Sequence, residues 1–175
     1  ALITAAEITG VVYHKLSGSL TVYIPSVTPF PFDTYRVLKD ALSSAFKLDI
    51  ELVIKADEPM LKLMELHKYL KYYIRTHRNA ECLNSAMPSM QDDVLELLFS
   101  NENEYLASKE LNTQLMDFYE EVGVLLGHID YTLRIVENVV DERKVELVEN
   151  KTEDKFLKKK PYRASSNKKE DYAPI

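Results

Sequence analysis

Short apolar segments with strand-like patterning occur in two sets along the chain. Alternation of apolar and polar residues with a period of two predicts a strand that has one buried face. The predicted strands are Glu7–Lys15, Leu20–Ile24, Leu48–Lys55, Val94–Phe99 and Ile129–Val136. A Ser/Gly step at residues 16–19 joins the first two and predicts a hairpin. Val94–Phe99 is apolar apart from Glu96, which is typical of a central strand covered on both faces.

Apolar residues at helical spacing predict three helices between these strands. The first has Asp33 as its N-cap and runs to Phe46; the second runs from Glu58 to about His77. The third has Ser108 as its N-cap and Gly123 at its C-terminal end. Pro25, Pro29 and Pro31 are expected to end the second strand, and residues 78–91, around Pro88, are expected to be a connector with one helical turn.

The order of these elements predicts an α+β fold in which helices pack on one face of a mixed sheet. A strand–helix–strand pattern occurs at residues 20–55 and again at 94–136, so we expect two similar halves, about 6–77 and 92–137, within a domain of residues 1–140. Residues 141–160 are charge-dense and predict a further helix, which Pro161 ends. Residues 161–175 lack apolar periodicity and are interpreted as a linker.

The charge is distributed unevenly along the 175 residues. Residues 151–175 hold 8 Lys/Arg and 4 Asp/Glu, whereas the first 150 residues hold 14 and 24, a balance of −10. An acidic body repels phosphate backbones and disfavours non-specific nucleic-acid binding. The nearest approach to a basic face is Lys68, Lys71, Arg75 and Arg78 along one predicted helix, which we take as a candidate contact for nucleic acid or a partner.

The residues that usually carry catalysis or metal binding are scattered. His14, His67, His77 and His128 have no ligand-like spacing, and nothing near Cys82 marks an activated thiol. Asp92 and Asp93 are adjacent on a predicted strand entry and would point to opposite faces. We therefore expect no catalytic residue, no metal and no cofactor in this segment.

Phosphate-binding loops are also missing from the sequence, which contains no GxxxxGK[ST] and no GxGxxG. A small sheet with helices on one face leaves a KH-like nucleic-acid module open as an alternative, with a GXXG loop as its contact. The nearest candidate, Gly123-Val124-Leu125-Leu126-Gly127, has no basic residue and is better interpreted as a helix cap and a turn.

The expected cellular setting follows from composition. A single cysteine excludes an intrachain disulfide and favours a reducing cytoplasm. No apolar run approaches the roughly 20 residues that cross a bilayer, and the N-terminus lacks the features of a signal peptide. The first residue is not Met, so we expect a piece of a longer chain.

The order of elements, and the residues that carry it, resemble a known family. Residues 18–54 (GSLTVYIPSVTPFPFDTYRVLKDALSSAFKLDIELVI), and then residues 94–136, resemble the N-terminal region of PolC-type DNA polymerase III. The second stretch has a strand ending in Ser100-Asn101, a helix ending in Phe118/Tyr119…Gly123, and an Ile-rich strand. The resemblance covers about residues 7–136.

The resemblance implies a non-catalytic protein-interaction domain in a replicative polymerase. In that family the polymerase, 3′–5′ exonuclease and PHP residues lie downstream, and a charged segment leads into an OB-fold domain. The N-terminal region is similar to the polymerase-binding domain of the clamp loader's tau subunit. The expected partners are replisome proteins, with clamp-loader, helicase-loading and primase proteins as candidates, and DNA through the downstream domains. A KH-like module and an unrelated small enzyme stay open as alternatives.

Overall fold

The computed structural model describes residues 7–135 as six strands and four α-helices. The strands are β1 (Gly10–His14), β2 (Ser19–Ser26), β3 (Asp49–Ala56), β4 (Met87–Gln91), β5 (Val94–Phe99) and β6 (His128–Leu133). The helices are α1 (Phe32–Phe46), α2 (Leu63–Thr76), α3 (Glu102–Glu110) and α4 (Asn112–Glu121), with a short 3₁₀ helix at Ala80–Leu83. The predicted helix at 141–160 and linker at 161–175 lie outside the described residues.

The α+β fold class is confirmed, with the strands divided between two mixed sheets of three strands each. In each sheet an antiparallel hairpin, β1–β2 or β4–β5, is followed by a helical crossover to a parallel strand, β3 or β6. The sheet orders are β1-β2-β3 and β4-β5-β6. The two predicted strand–helix–strand units are therefore each extended by an antiparallel strand on one side. We call the segments from β1 to β3 and from β4 to β6 the first and second halves.

One apolar core joins the two halves. The apolar residues at alternate positions of the central strands are buried, with Leu20, Val22 and Ile24 on β2 and Leu95, Leu97 and Phe99 on β5. Helix α4 of the second half contacts β3 of the first, and α2 contacts β4. The Leu125 amide donates to the Pro59 carbonyl (2.9 Å), and the Tyr119 hydroxyl donates to the Leu66 carbonyl (3.0 Å). Burial and hydrogen bonding thus join α4 of the second half to β3 and to α2.

Proline affects the strands less than the sequence suggested. Strand β2 continues through Pro25 to Ser26, although Pro25 was expected to end it. The Tyr23 carbonyl points toward the β1 side of β2, where it accepts from the Thr9 amide. Pro25 is two residues further along the strand, so its backbone nitrogen points to the same side. The pairing of β1 with β2 ends at Tyr23, so no hydrogen bond of the ladder is lost at Pro25. Pro88 likewise lies in β4, an outer strand within the expected connector. An outer strand tolerates proline because one of its sides forms no ladder.

Two predicted helix caps are wrong. Helix α1 has Pro31 as its N-cap, so Asp33 lies inside the first turn. Ser108 is buried within α3, and the helical segment begins earlier, where Asn101 Oδ1 accepts from the amides of Asn103 (2.9 Å) and Glu104 (3.2 Å). An Asn cap with acidic residues in the first turn starts a helix even where apolar periodicity is weak.

Candidate interaction site

The four basic residues singled out from the sequence lie along α2 and just beyond it. Lys68, Lys71 and Arg75 share one side of the helix, whereas Arg78 follows the helix end at Thr76. Lys71, Arg75 and Arg78 are exposed, and the Arg75 Nε donates to the Lys71 carbonyl (3.2 Å). Their role in binding stays a prediction.

Lys68 differs from the other three because it is bound within the fold. Its Nζ lies 2.9 Å from Glu65 Oε1 and 3.5 Å from Asp33 Oδ2. The hydrogen bond to Glu65 raises the pKa of Lys68. A lysine that joins two carboxylates of its own chain adds less to an external basic face than its position on the helix suggests.

Glu65 explains why this network forms. Its Oε2 accepts from the Phe32 amide (2.7 Å), so a carboxylate of α2 caps the N-terminus of α1. The hydrogen bond from Lys68, and then the one from the Phe32 amide, hold the pKa of Glu65 below its usual value. The Tyr69 hydroxyl donates to the Phe30 carbonyl (2.8 Å) beside it. These contacts fix α1 against α2 and are structural.

The glycine-flanked segment at residues 123–127 ends a helix. The Gly123 amide donates to the Glu120 carbonyl (3.0 Å), and the Val124 amide donates to the Tyr119 carbonyl (2.8 Å). This pair of bonds forms a Schellman cap, and it requires the positive φ of 91° at Gly123. Val124 and Leu126 are buried. The segment is the cap and turn that the sequence favoured, and it is not a solvent-exposed GXXG loop.

The candidate catalytic groups do not converge in the part of the chain that the structure describes. Among residues 7–135 no group of three or more His, Cys, Asp or Glu side chains could hold a metal ion. Asp92 and Asp93 are the two residues of the β4–β5 turn, where Asp92 has a φ of 54°. Cys82 is half-buried, and its Sγ lies 3.5 Å from the Asn79 carbonyl.

The feature that sequence reasoning missed is the exposure of the N-terminal hairpin. Four of the five residues of β1 are exposed. We define the hairpin surface as the large exposed apolar side chains of this region: Ile8 (49%), Val11 (52%), Val12 (43%), Tyr13 (54%) and Leu16 (106%). Strand β1 is at the edge of its sheet and, within residues 7–135, pairs only with β2. Apolar side chains and a backbone edge that no described residue pairs with thus occur together.

The pattern of β1 held a partial signal for this surface. Thr9, Val11 and Tyr13 alternate with Ile8, Val12 and His14, so both faces of the strand carry apolar residues. Such a pattern usually indicates a strand covered on both sides. Only the three-dimensional arrangement shows that neither side of β1 is buried.

The described helices also bear on the expectation about membranes. Within residues 7–135 no helix is long and apolar enough to cross a bilayer.

Comparison with known proteins gives one family. No curated protein and no solved structure was found to match the chain. Residues 1–55 match the family model described as DNA polymerase III polC-type N-terminus I. The match spans the hairpin, α1 and nearly all of β3. The resemblance inferred from the sequence is therefore confirmed over residues 1–55, where the chain is similar to the N-terminus of polC-type DNA polymerase III, and its extension to about residue 136 stays a prediction.

Proposed function

We propose that this segment is a non-catalytic docking domain of a polC-type replicative DNA polymerase, and that it binds another replisome protein. The family match at residues 1–55 supports a role in replication. In this proposal the parent chain supplies the DNA-directed polymerase and 3′–5′ exonuclease activities from other regions, in the cytoplasm. Clamp-loader, helicase-loading and primase proteins are the candidate partners.

The observation that carries the docking proposal is the hairpin surface. An outer strand with free N–H and C=O groups can pair with an extended segment of another protein. Val11 and Tyr13 lie on one face of β1 and Val12 on the other, so apolar side chains flank that edge on both sides. Natural proteins usually protect such an edge with charge, proline or a covering element. We infer that an extended, apolar segment of the partner adds to the sheet beside β1.

Charge distinguishes protein binding from DNA binding. The −10 balance of residues 1–150 opposes a phosphate backbone, and Lys68 is engaged by Glu65 and Asp33. A KH-like module would need a basic contact that compensates for this balance. We expect the domain to bind a replisome protein more tightly than it binds single-stranded or duplex DNA.

The test is a pair of titrations at about 0.15 M salt, near physiological screening. One uses single-stranded and duplex DNA, and the other uses the clamp-loader, helicase-loading and primase proteins of the same cell. Val11→Lys/Tyr13→Lys should weaken binding of the protein partner at least about tenfold, as expected for central apolar contacts. The matched control Val37→Lys/Leu106→Lys adds the same charge at exposed apolar residues of α1 and α3.

Two results would contradict the proposal. Equal weakening by the hairpin and control variants would show that added charge, and not the hairpin surface, controls binding. Micromolar DNA binding that charge reversal at Lys68, Lys71, Arg75 and Arg78 abolishes, without any protein partner, would instead support the KH-like alternative.

Catalysis is tested separately. We expect the purified fragment to show no nucleotidyl transfer and no nuclease activity. Metal-dependent incorporation of deoxynucleotides by a homogeneous preparation would overturn the non-catalytic assignment.

A further inference from the structure

A cleft of about 510 Å³ lies where β3, α1, α2 and α4 meet. Its volume is within the range of small-molecule and side-chain binding sites. The side chains that matter for its chemistry are three carboxylates, one lysine and two aromatic rings: Asp49, Glu51, Glu121, Lys39, Tyr72 and Phe118. They come from both halves and from α2, which lies between them in the chain, so the cleft exists only when the halves are packed together.

The cleft has an excess of negative charge. Asp49, Glu51 and Glu121 line it, and among residues 7–135 Lys39 is the single Lys or Arg in the lining. Among the described residues none of the three carboxylates lies within 4.0 Å of a cationic group. Carboxylates that share a concave wall without an ion-pair partner favour a bound cation.

Glu121 shows the charge excess most clearly. It is the last residue of α4, whose final turn holds no basic residue, so it lies at the negative end of the helix dipole. Glu121 is exposed as a residue, but partial burial removes water from its carboxyl group and raises the pKa of that group. Repulsion by Glu51 and Asp117 also raises the pKa, and Lys39 lowers it. A second cation in the cleft would relieve this repulsion.

The aromatic rings give the cleft a second reason to bind a cation. Lys39 Nζ lies 5.7 Å from the centre of the Tyr72 ring and donates to the Tyr72 hydroxyl (3.2 Å). The ring centres of Tyr72 and Phe118 are 6.4 Å apart with an interplanar angle of 30°. Aromatic faces attract cations, and more strongly where water is partly excluded. The protein's own Lys39 ammonium group is bound at the hydroxyl edge of Tyr72, beside this pair of rings.

We propose that this cleft receives an arginine side chain from a basic segment of a protein partner. The proposal rests on the docking function proposed above and specifies the chemistry of a second contact. A guanidinium group fits better than an ammonium group because it stacks on aromatic rings, is weakly hydrated and can reach several carboxylates with fixed donors. Arginine is also among the residues that most often dominate binding energy at interfaces.

The test uses tetra-arginine amide as the probe and tetra-citrulline amide, which keeps the shape but lacks the charge, as its control. Binding to the full 175-residue chain is followed by amide and aromatic chemical shifts. Tetra-arginine should shift the signals of Tyr72 and Phe118, and tetra-citrulline should not. Glu51→Gln/Glu121→Gln should weaken binding about tenfold, and Glu102→Gln/Glu110→Gln, with the same change in net charge, should change it less than about twofold.

A substitution of the lysine in the cleft should change tetra-arginine binding in the opposite direction. Lys39→Met removes the resident cation and should strengthen tetra-arginine binding severalfold. Lys109→Met is the matched control, because Lys109 makes the same kind of contact with Tyr105 outside the cleft: its Nζ is 4.9 Å from the ring centre and 3.1 Å from the hydroxyl. Non-specific electrostatics would make these two variants equal.

The outcomes separate this proposal from the docking proposal. Val11→Lys/Tyr13→Lys should leave tetra-arginine binding unchanged even where it abolishes binding of the replisome partner. Equal loss of tetra-arginine binding in Glu51→Gln/Glu121→Gln and in Glu102→Gln/Glu110→Gln overturns the proposal. The absence of chemical-shift changes at Tyr72 and Phe118 also overturns it. If tetra-arginine binds only after Lys158→Gln/Lys159→Gln/Lys160→Gln, this chain's own lysine run competes for the cleft, and the proposal that a partner's arginine occupies it in the unaltered chain is overturned.

Discussion

In both halves of the molecule a hairpin precedes a helical crossover and a parallel third strand, so β2 and β5 are the central strands of their sheets. The outer hairpin strands differ. Strand β4 contains Pro88, contacts α2 and has alternating half-buried residues. Strand β1 contains no proline and is exposed on both faces. The same order of strands thus gives one protected edge and one edge that is open among the described residues, and the open edge lies in the segment that matches the family model.

The polar faces of the two sheets are more alike than their edges. In the first half, the Thr21 hydroxyl joins His14 Nε2 (2.9 Å) on β1 to Glu51 Oε2 (2.9 Å) on β3. In the second half, Glu96 accepts from Ser89 on β4 (2.9 Å) and from Thr132 on β6 (3.3 Å). In each sheet the bridging side chain is on the central strand and bonds to side chains of both neighbouring strands. Cross-strand polar pairs stabilise both sheets alike, so the halves differ at their outer strands and not in these bridges.

The largest expected effect tests whether the halves fold together. Leu52 on β3 and Leu115 on α4 are buried within one continuous core. Leu52→Ala and Leu115→Ala should each lower the free energy of unfolding by about 2–5 kcal/mol, within a single denaturant transition. Leu106→Ala, at an exposed position of α3, is the control. Two separate transitions, each sensitive to one variant, would show that the halves unfold independently.

The next effect compares one glycine from each half. Gly123 has a positive φ, and a Cβ atom there would lie 3.0 Å from Ile54 Cγ2 on β3. Gly18, in the β1–β2 turn, has a φ of 67° and open space around it. Gly123→Ala should destabilise the protein by about 2–3 kcal/mol, and Gly18→Ala by about 1 kcal/mol, because only the first adds a clash to the backbone strain. Equal thermal shifts would contradict the close packing of the α4 cap against β3.

A smaller effect concerns how the first helix of each half begins. Helix α3 is capped by Asn101 beside it, whereas α1 depends on Glu65 of α2. Glu65→Ala should cost about 1–2 kcal/mol at neutral pH, the usual range for a lost cap. Glu65→Gln should cost less because its amide oxygen can still accept from Phe32. The exposed Glu58→Ala serves as the control.

The pH dependence of that cost has a defined sign. The pKa of Glu65 is lowered in the folded state, so its contribution is present above its unfolded pKa and is lost as the pH falls through the folded value. The difference in stability between the wild type and Glu65→Gln should therefore shrink below about pH 4, near the reference pKa of a glutamate. A difference that grows on acidification would mean that the charged form of Glu65 is not the stabilising one.

The sequence predicted the features that depend on local pattern. Strands β2, β3, β5 and β6 were identified from apolar patterning, and the Gly123 cap from a single residue. Strand β4 was missed because Pro88 and polar neighbours resemble a connector, and its pairing with β5 is decided by the turn at Asp92-Asp93. The cap of α1 could not be predicted, because Glu65 is 33 residues away from Phe32. Contacts of that kind follow from packing and not from neighbouring residues.

The two candidate interaction surfaces, the basic residues of α2 and the hairpin surface, were also predicted only as far as local pattern allows. The basic residues of α2 follow from helical spacing, but the pairing of Lys68 with Asp33 depends on how α1 and α2 pack. The hairpin surface was visible only as a strand with apolar residues on both sides. Which strand edge is left open depends on where the helices lie, and no spacing within β1 encodes that.

The smallest expected effect compares two buried tyrosines at the junction of the halves. Tyr119 and Tyr73 are both fully buried. The Tyr119 hydroxyl donates to the Leu66 carbonyl (3.0 Å), whereas the Tyr73 hydroxyl has no hydrogen-bond partner among the described residues. Tyr119→Phe should cost about 1 kcal/mol, the net value of a typical hydrogen bond. Tyr73→Phe should be neutral or slightly stabilising, because it removes a buried polar group that gains nothing in the folded state. A loss of stability in Tyr73→Phe as large as that in Tyr119→Phe would mean that the Tyr73 hydroxyl is satisfied in solution. An unchanged denaturant midpoint in Tyr119→Phe would mean that its bond to Leu66 does not stabilise the contact between α4 and α2.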